Sequence, residues 1–159
     1  MTRVSLDDAD VRILGILQED ATLSIAAVAA KANMSQYGCW RRIKRLEESG
    51  VIARRVTILD ASALGLDLTV FVSLRASEHS EAWHDTLNSA IRDIPEVDEF
   101  SRMTGDVDYL HKLRVENMAA YDAVYRRIIR SIRLTDVSSA FSMEEIKFTT
   151  ALPLTARPS

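Results

Sequence analysis

Two stretches of this 159-residue chain hold side chains whose types and spacing could do chemistry. In SQYGCWRRIKRLEESGVIARR, residues 35–55, six of 21 residues are Arg or Lys and only Glu47 and Glu48 oppose them. Arg41, Lys44 and Arg45 stand three and four positions apart, which gathers their charges on one flank of a helix and suits them to a polyanion. In Met103-Thr104-Gly105-Asp106-Val107-Asp108-Tyr109 two carboxylates share one turn, where a glycine permits a bend that a side chain would forbid. Such a turn could receive an ammonium group while backbone N–H groups and the hydroxyls of Ser138 and Ser139 meet a carboxylate, and an amino acid carries both charges. The plainer alternatives are a solvated helix face for the first stretch and an ordinary hairpin turn for the second.

Catalytic chemistry finds little to use. There is no Ser-His-Asp spacing, no HExxH and no glycine-rich phosphate loop. The single cysteine, Cys39, excludes an internal disulfide and a Cys-based zinc cluster. His111 shares a strand face with Tyr109 and Leu113, as a hydrogen-bonded core or interface residue or as part of a pocket. No cofactor and no metal are expected beyond a small-molecule effector.

The composition sets these stretches in context. A hydrophobic share of 47% with 27% charged residues excludes a disordered chain and allows a real core. No apolar run approaches the ~20 residues that cross a bilayer, and MTRVSLDDAD lacks the apolar stretch of a signal peptide. A cytoplasmic protein without a membrane partner is expected. The formal charge is −3, yet Lys31 to Arg55 holds seven basic residues against two acidic ones, and Ser77 to His111 holds nine acidic residues against Arg92 and Arg102. The two halves should therefore meet different partners.

The elements that must position the cations are three helices. Asp7 is suited to cap the first, whose inward face is Ala9, Ile13, Leu14, Ile16 and Leu17. Ser24 caps SIAAVAAKAN, which Asn33 can end in a left-handed conformation. Ser35 caps a third helix reaching Ser49, with Gly50 just beyond it. Only Asn33 and Met34 separate the second and third helices, a helix-turn-helix spacing. On the third helix Cys39, Ile43 and Leu46 form the buried stripe. Tyr37, Arg41, Lys44 and Glu48 point away from it, flanked by Arg45 on one edge and Trp40 on the other. Val51 to Ile58 is β-branched and predicts one or two wing strands, with Arg54 and Arg55 free for phosphates.

The carboxylate turn sits in a different unit. Residues 60–67 predict a hinge. Leu68 to Arg75 alternates as a strand, Ser80 to Asp93 is helical with Trp83, Leu87, Ala90 and Ile91 inward, and residues 97–104 and 107–115 read as strands joined at Gly105-Asp106. Asn117 caps a helix with a stripe of Met118, Tyr121, Tyr125, Ile128, Ile129 and Ile132, and Val137 to Phe148 supplies the last strand. This order is the ferredoxin-like βαββαβ, whose helices cover one sheet face. Phe71, Val107, Tyr109 and Phe141 are expected on the other face, too apolar to stay wet, so a second copy of the chain should cover them.

LDDADVRILGILQED, SQYGCWRRIKRLEESGVI and MTGDVDYLHKLRV together resemble the Lrp/AsnC (feast/famine) regulators, from Leu6 to about Leu154. The resemblance implies an α+β chain: a winged helix-turn-helix over 1–59, the hinge, and a ferredoxin-like RAM domain over 68–159 that senses an effector and oligomerises. It implies a DNA-binding transcription regulator, a homodimer or larger assembly such as a tetramer or octamer, with an amino acid or similar effector held between dimers. Matched residue by residue, DNA falls to Ser35, Gln36, Tyr37, Arg41, Arg42, Lys44, Arg45, Arg54 and Arg55. The effector falls to Arg102, Thr104, Gly105, Asp106, Asp108, Tyr109, Ser138, Ser139, Ala140 and Phe141. Arg102 and His111 replace apolar residues of many members, Ala140 replaces a larger one, and Gln36-Tyr37-Gly38 replaces a Pro-containing turn. A haem-biosynthesis decarboxylase built on the same layout is the alternative, and a winged helix that binds protein is a further one.

Overall fold

The computed structural model describes residues 4–78 and 80–155. Residues 1–3 and 156–159, the outer ends of the two expected domains, lie outside the described residues. The chain divides into two compact units, one of residues 1–58 with 147–159 and one of residues 59–146.

The head begins with α1 (Asp8–Glu19), α2 (Ile25–Lys31) and α3 (Gln36–Glu48). Asp7 caps α1 as expected: its carboxylate accepts from the Asp10 amide at 2.9 Å, and Asp10 accepts in return from the Asp7 amide at 3.2 Å. These bonds satisfy amides that the first helical turn leaves without partners. Ser24 and Ser35 cap α2 and α3 through the amides of Ala27 and Gly38. Asn33 takes φ 55° and Gly50 φ 75°, the left-handed residues that end the second and third helices. Ile13, Val28, Ala29, Ala32, Cys39 and Ile43 form the core between the helices, with Leu46 equally buried. That burial raises the Cys39 thiol pKa.

Two expectations for the head fail. Residues 51–58 form no strand. Their β-branched pattern favours extended backbone, but a strand needs a ladder of backbone hydrogen bonds, and none joins residues 53–58 to another segment among the described residues. The segment from Lys147 belongs with the head rather than with the second unit. There the Gln18 side chain grips the backbone of Leu152 twice, donating to its carbonyl at 3.2 Å and accepting from its amide at 2.7 Å.

In the second unit the expected hinge contains a 3-10 turn, Ser62–Leu64, held by Asp60, which accepts from Ser62 and Ala63. These bonds lower the Asp60 pKa. Then follow β1 (Leu68–Ala76), α4 (Glu81–Arg92), β2 (Val97–Arg102), β3 (Tyr109–Val115), α5 (Met118–Ser131) and β4 (Leu134–Phe141). The strands pair antiparallel in the order β2-β3-β1-β4, the expected βαββαβ topology. Val70, Val72 and Leu74 of β1, paired with Leu113, His111 and Tyr109 of β3, face the helices. They bury against Trp83, Leu87 and Ile91 of α4 and Tyr121, Val124 and Ile128 of α5. Val124 takes a place in the α5 stripe, whereas Met118 and Ile129 stay 57% and 42% exposed. β4 stops at Phe141 rather than Phe148; one further backbone bond, from the Ser142 amide to the Thr69 carbonyl at 2.9 Å, closes its pairing with β1.

The register also corrects the make-up of the open face. Tyr109 and Phe141 pair with Leu74 and Val70 and so lie on the helix side. Val107 precedes β3 in the connecting loop. Of the four expected residues only Phe71 remains on the open face, 40% exposed. Its cross-strand neighbour Lys112 lies 4.0 Å from Glu99 and 3.9 Å from Glu145, and Arg114 lies 3.1 Å from Asp98. This face is laced with ion pairs rather than oily throughout.

Candidate nucleic-acid interface and effector site

The three-residue stripe behind α3 decides which side chains face water. Cys39, Ile43 and Leu46 are 0–4% exposed, so the opposite flank must be solvated. Tyr37 is 71% and Trp40 43% exposed, their rings stacked with centroids 6.0 Å apart. The Lys44 ammonium sits 5.4 Å above the Trp40 ring and 3.7 Å from Glu48, both side chains of that pair more than half exposed. A surface pair of this kind contributes ~0.3–0.5 kcal/mol and leaves the cation available. Arg41 is exposed and carries no ion pair among the described residues. Trp40, Arg41, Lys44 and Arg45 line a cleft of about 530 Å³ together with Asp7, Arg42 and Glu48.

Arg42 and Arg45 have a second occupation. Arg42 donates to Asp7 at 2.7 Å and to Asp10 at 2.8 Å, and Arg45 donates to the other oxygen of Asp10. The Asp10 side chain is only 1% exposed, while Arg42 and Arg45 keep 29% and 50% of theirs in water. Backbone donation from the Asp10 amide, then Arg42, lowers the Asp7 pKa, and the carboxylates of Asp7 and Asp10 raise that of Arg42. Arg42 thus braces α3 against the start of α1 while part of its side chain still lines the cleft. Arg45 both braces and faces the cleft. Sequence reading missed Asp10, because a first-turn acid looks like a solvated partner of the helix dipole and its two arginines lie over 30 positions away. Arg54 is exposed, and Arg55 pairs with Glu47 at 2.9 Å. Gly38 has a local reason: a Cβ there would lie 3.0 Å from the capping Ser35 Oγ.

In the second unit the Gly-Asp turn is a loop of residues 103–108 between β2 and β3, with Gly105 at φ 106°. Thr104 and Asp106 are exposed, as is Arg102 at the end of β2. Asp108 is committed elsewhere: its carboxylate accepts from the Ala76 amide at 2.8 Å and its own amide donates to Leu74 at 3.1 Å. It ties the loop to β1 before any ligand is considered. Tyr109 is 4% exposed, stacks on Phe100 at 5.3 Å, and its hydroxyl meets His84 Nδ1 beneath the sheet. That burial raises its pKa.

The four expected residues of β4 do not join this loop. Ser139 and Phe141 face α5, where the Tyr121 hydroxyl meets Ser139 Oγ and its ring packs edge-on to Phe141 at 5.3 Å. Ser138 and Ala140 pair with Ser73 and Phe71 on the open face. β4 and β2 are opposite edges of the sheet. Within one chain the expected effector residues therefore fall into three places: the 103–108 loop, the α5 side and the open face.

A helix-turn-helix with an outward cationic flank, joined to this sheet topology, matches known profiles in both parts. Residues 6–53 match a family described as winged helix-turn-helix DNA-binding, and residues 69–152 match the Lrp/AsnC ligand binding domain. The chain belongs to the Lrp/AsnC family. Its relatives include the glutamate uptake regulatory protein of Zymomonas mobilis, 49% identical over 149 residues, covering 94% of this chain and 91% of that one. The DNA-binding transcriptional activator DecR of Escherichia coli is 42% identical over 150 residues, covering 94% and 99%. Among solved structures, an AsnC family transcriptional regulator from Agrobacterium tumefaciens superposes with TM-score 0.90 at 51% identity, covering 93% and 97%. A transcriptional regulator of Neisseria meningitidis, solved as an L-Met complex, gives TM-score 0.89 at 29% identity, covering 94% and 97%. This Lrp/AsnC chain is a transcriptional regulator with a DNA-binding head and a ligand-binding domain; its relatives regulate transcription, and none of these carries the decarboxylase alternative. No helix of the described residues is long and apolar enough to cross a membrane.

Proposed function

We propose that this Lrp/AsnC regulator acts in the cytoplasm, grips duplex DNA as a homodimer through α3, and changes its assembly when an amino acid or similar zwitterion binds between copies. The observation that carries the DNA half is the solvated cationic flank of α3, backed by a stripe at most 4% exposed. Arg41 and Lys44 are its solvated cations, with Ser35, Gln36, Tyr37 and Arg45 beside them and Arg54 and Arg55 for phosphates. A two-fold dimer presents two such helices, so its operator is an imperfect palindrome with half-sites a whole number of turns apart.

Charge reversal tests this half. Arg41→Glu with Lys44→Glu should lower affinity for duplex DNA at least a hundredfold and flatten its salt dependence, with the oligomer unchanged by sedimentation. Unaltered affinity in the double variant would remove α3 from the interface, and salt-insensitive binding of the native chain would favour a protein-binding winged helix.

The effector half is supported by what one chain leaves apart. Arg102, Thr104, Gly105 and Asp106 are exposed in one place and Ser138 and Ala140 in another, while Asp108, Tyr109, Ser139 and Phe141 act as the inner wall and supports. A zwitterion bridging these groups needs a neighbouring copy, and no further cofactor enters. One relative is named for glutamate uptake and one structural neighbour holds L-Met, which places L-Glu and L-Met first in a panel. A true effector should raise the melting temperature and move the sedimentation profile between dimer and tetramer or octamer. A ligand that binds both assemblies equally would shift nothing. No response to any amino acid would leave a DNA binder without this sensor.

A further inference from the structure

Trp40 is unexplained by either half of that reading, and Tyr37, placed beside the cations, stacks on it. Both rings stand on the N-terminal half of α3, 43% and 71% exposed, although the stripe behind them is closed. An exposed aromatic pair forgoes the burial that makes such residues useful in a core. It is also tightly placed. Trp40 forms the wall between two concavities: on one side the cationic cleft with Arg41, Lys44 and Arg45, on the other a notch of about 420 Å³ lined by Ile25, Gln36, Tyr37 and Trp40. Three of those four notch residues are apolar or aromatic. Lys44 lies over the indole and Tyr37 stacks alongside it, which fixes the ring and leaves its remaining surface to the notch.

We propose that Trp40, with Tyr37 and Ile25 around the notch, reads thymine in the major groove by taking its C5-methyl group, adding sequence preference to the charge-based grip of Arg41 and Lys44. The inference rests on the DNA reading above. The chemistry selects the ligand: major-groove base edges present hydrogen-bonding atoms, and thymine's methyl is the apolar group among them. The position selects the groove, because base contacts of a helix-turn-helix come from the N-terminal part of its second helix. The adjacent cations bring phosphates to the same surface, which distinguishes it from a patch awaiting a protein partner.

The test uses the full chain and a duplex selected with it from a randomised pool. Each thymine of a half-site is replaced in turn by deoxyuridine, which removes only the methyl, and the native chain is compared with Trp40→Ala in a double-mutant cycle. At one or two positions the native chain should bind the uracil duplex about fourfold more weakly, the worth of roughly one buried methyl-sized group. Trp40→Ala should lose that preference at the same positions, Trp40→Phe should keep part of it, and all three should share one salt slope. Indifference of the native chain to uracil at every position overturns the proposal, as does a methyl preference that survives Trp40→Ala. Salt-dependent binding in those cases preserves the DNA reading, while failure to select or bind any duplex sinks both. Should Trp40→Ala not fold, Trp40→Gln takes its place in the same cycle.

Discussion

His111 shows what one residue can reveal when its environment is at odds with its chemistry. It is fully buried on the helix side of β3, opposite Val72 and edge-on to Phe100 at 6.2 Å, and neither ring nitrogen has a hydrogen-bond partner among the described residues. Burial therefore disfavours the imidazolium and lowers the pKa from 6.5 to about 4. Below 6.5 the unfolded chain takes up a proton that the folded chain refuses, so His111's contribution is complete above pH 6.5 and is lost as pH falls through 4. The window amounts to about 3 kcal/mol. His111→Leu should remove that slope and raise stability at pH 5, as read by urea unfolding of both proteins across pH 4–7. Parallel pH profiles would show that the ring does not titrate in its buried place.

At the scale of elements, the head is held by a long-range clamp as much as by its core. Asp10, at the start of α1, accepts from Arg42 and Arg45 on α3, so one buried carboxylate braces the helix proposed to meet DNA. Removing one partner of a fully buried pair costs ~3–5 kcal/mol; these guanidiniums partly reach water, so Asp10→Ala should cost about 2–3 kcal/mol. Denaturant unfolding measures it. DNA affinity should also fall in a variant still folded at the assay temperature, because Arg45 would no longer be held towards the cleft. A loss under 0.5 kcal/mol would mean the hydrophobic stripe alone positions α3. In the second unit Asp108 performs a comparable task, tying the 103–108 loop to β1 through the Ala76 amide.

The whole molecule is where exposed apolar groups call for a partner. Val56, Ile58 and Leu59, in a segment without helix or strand, are 56–64% exposed, and Phe71 stands among ion pairs on the open sheet face. A second copy can bury Phe71 and satisfy the open face together, whereas a lone chain leaves both in water. Phe71→Asp should therefore convert a dimer to a monomer at micromolar concentration by analytical ultracentrifugation, with secondary structure retained. A native chain that sediments as a monomer at that concentration would contradict the dimer, and with it the two-helix grip on DNA.

Local signals were enough to read the helices, their caps at Asp7, Ser24, Ser35 and Asn117, the stripe of Cys39, Ile43 and Leu46, and the strand order of the second unit. Each depends on periodicity or on a bond between residues a few positions apart, which a linear pattern records. The placement of Arg42 and Asp108 was not legible, because the carboxylate or amide that claims each lies over 30 residues away. Nor was the face occupied by Tyr109 and Phe141, since a side is assigned only when strands pair and the register is fixed. The sequence by itself determined which segments fold and where cations and carboxylates cluster, because short-range sterics and hydrogen bonds act within a few residues. Only the tertiary structure decided which of those charges remain free for a ligand, because a partner brought in from afar neutralises a charge that looks available in the chain.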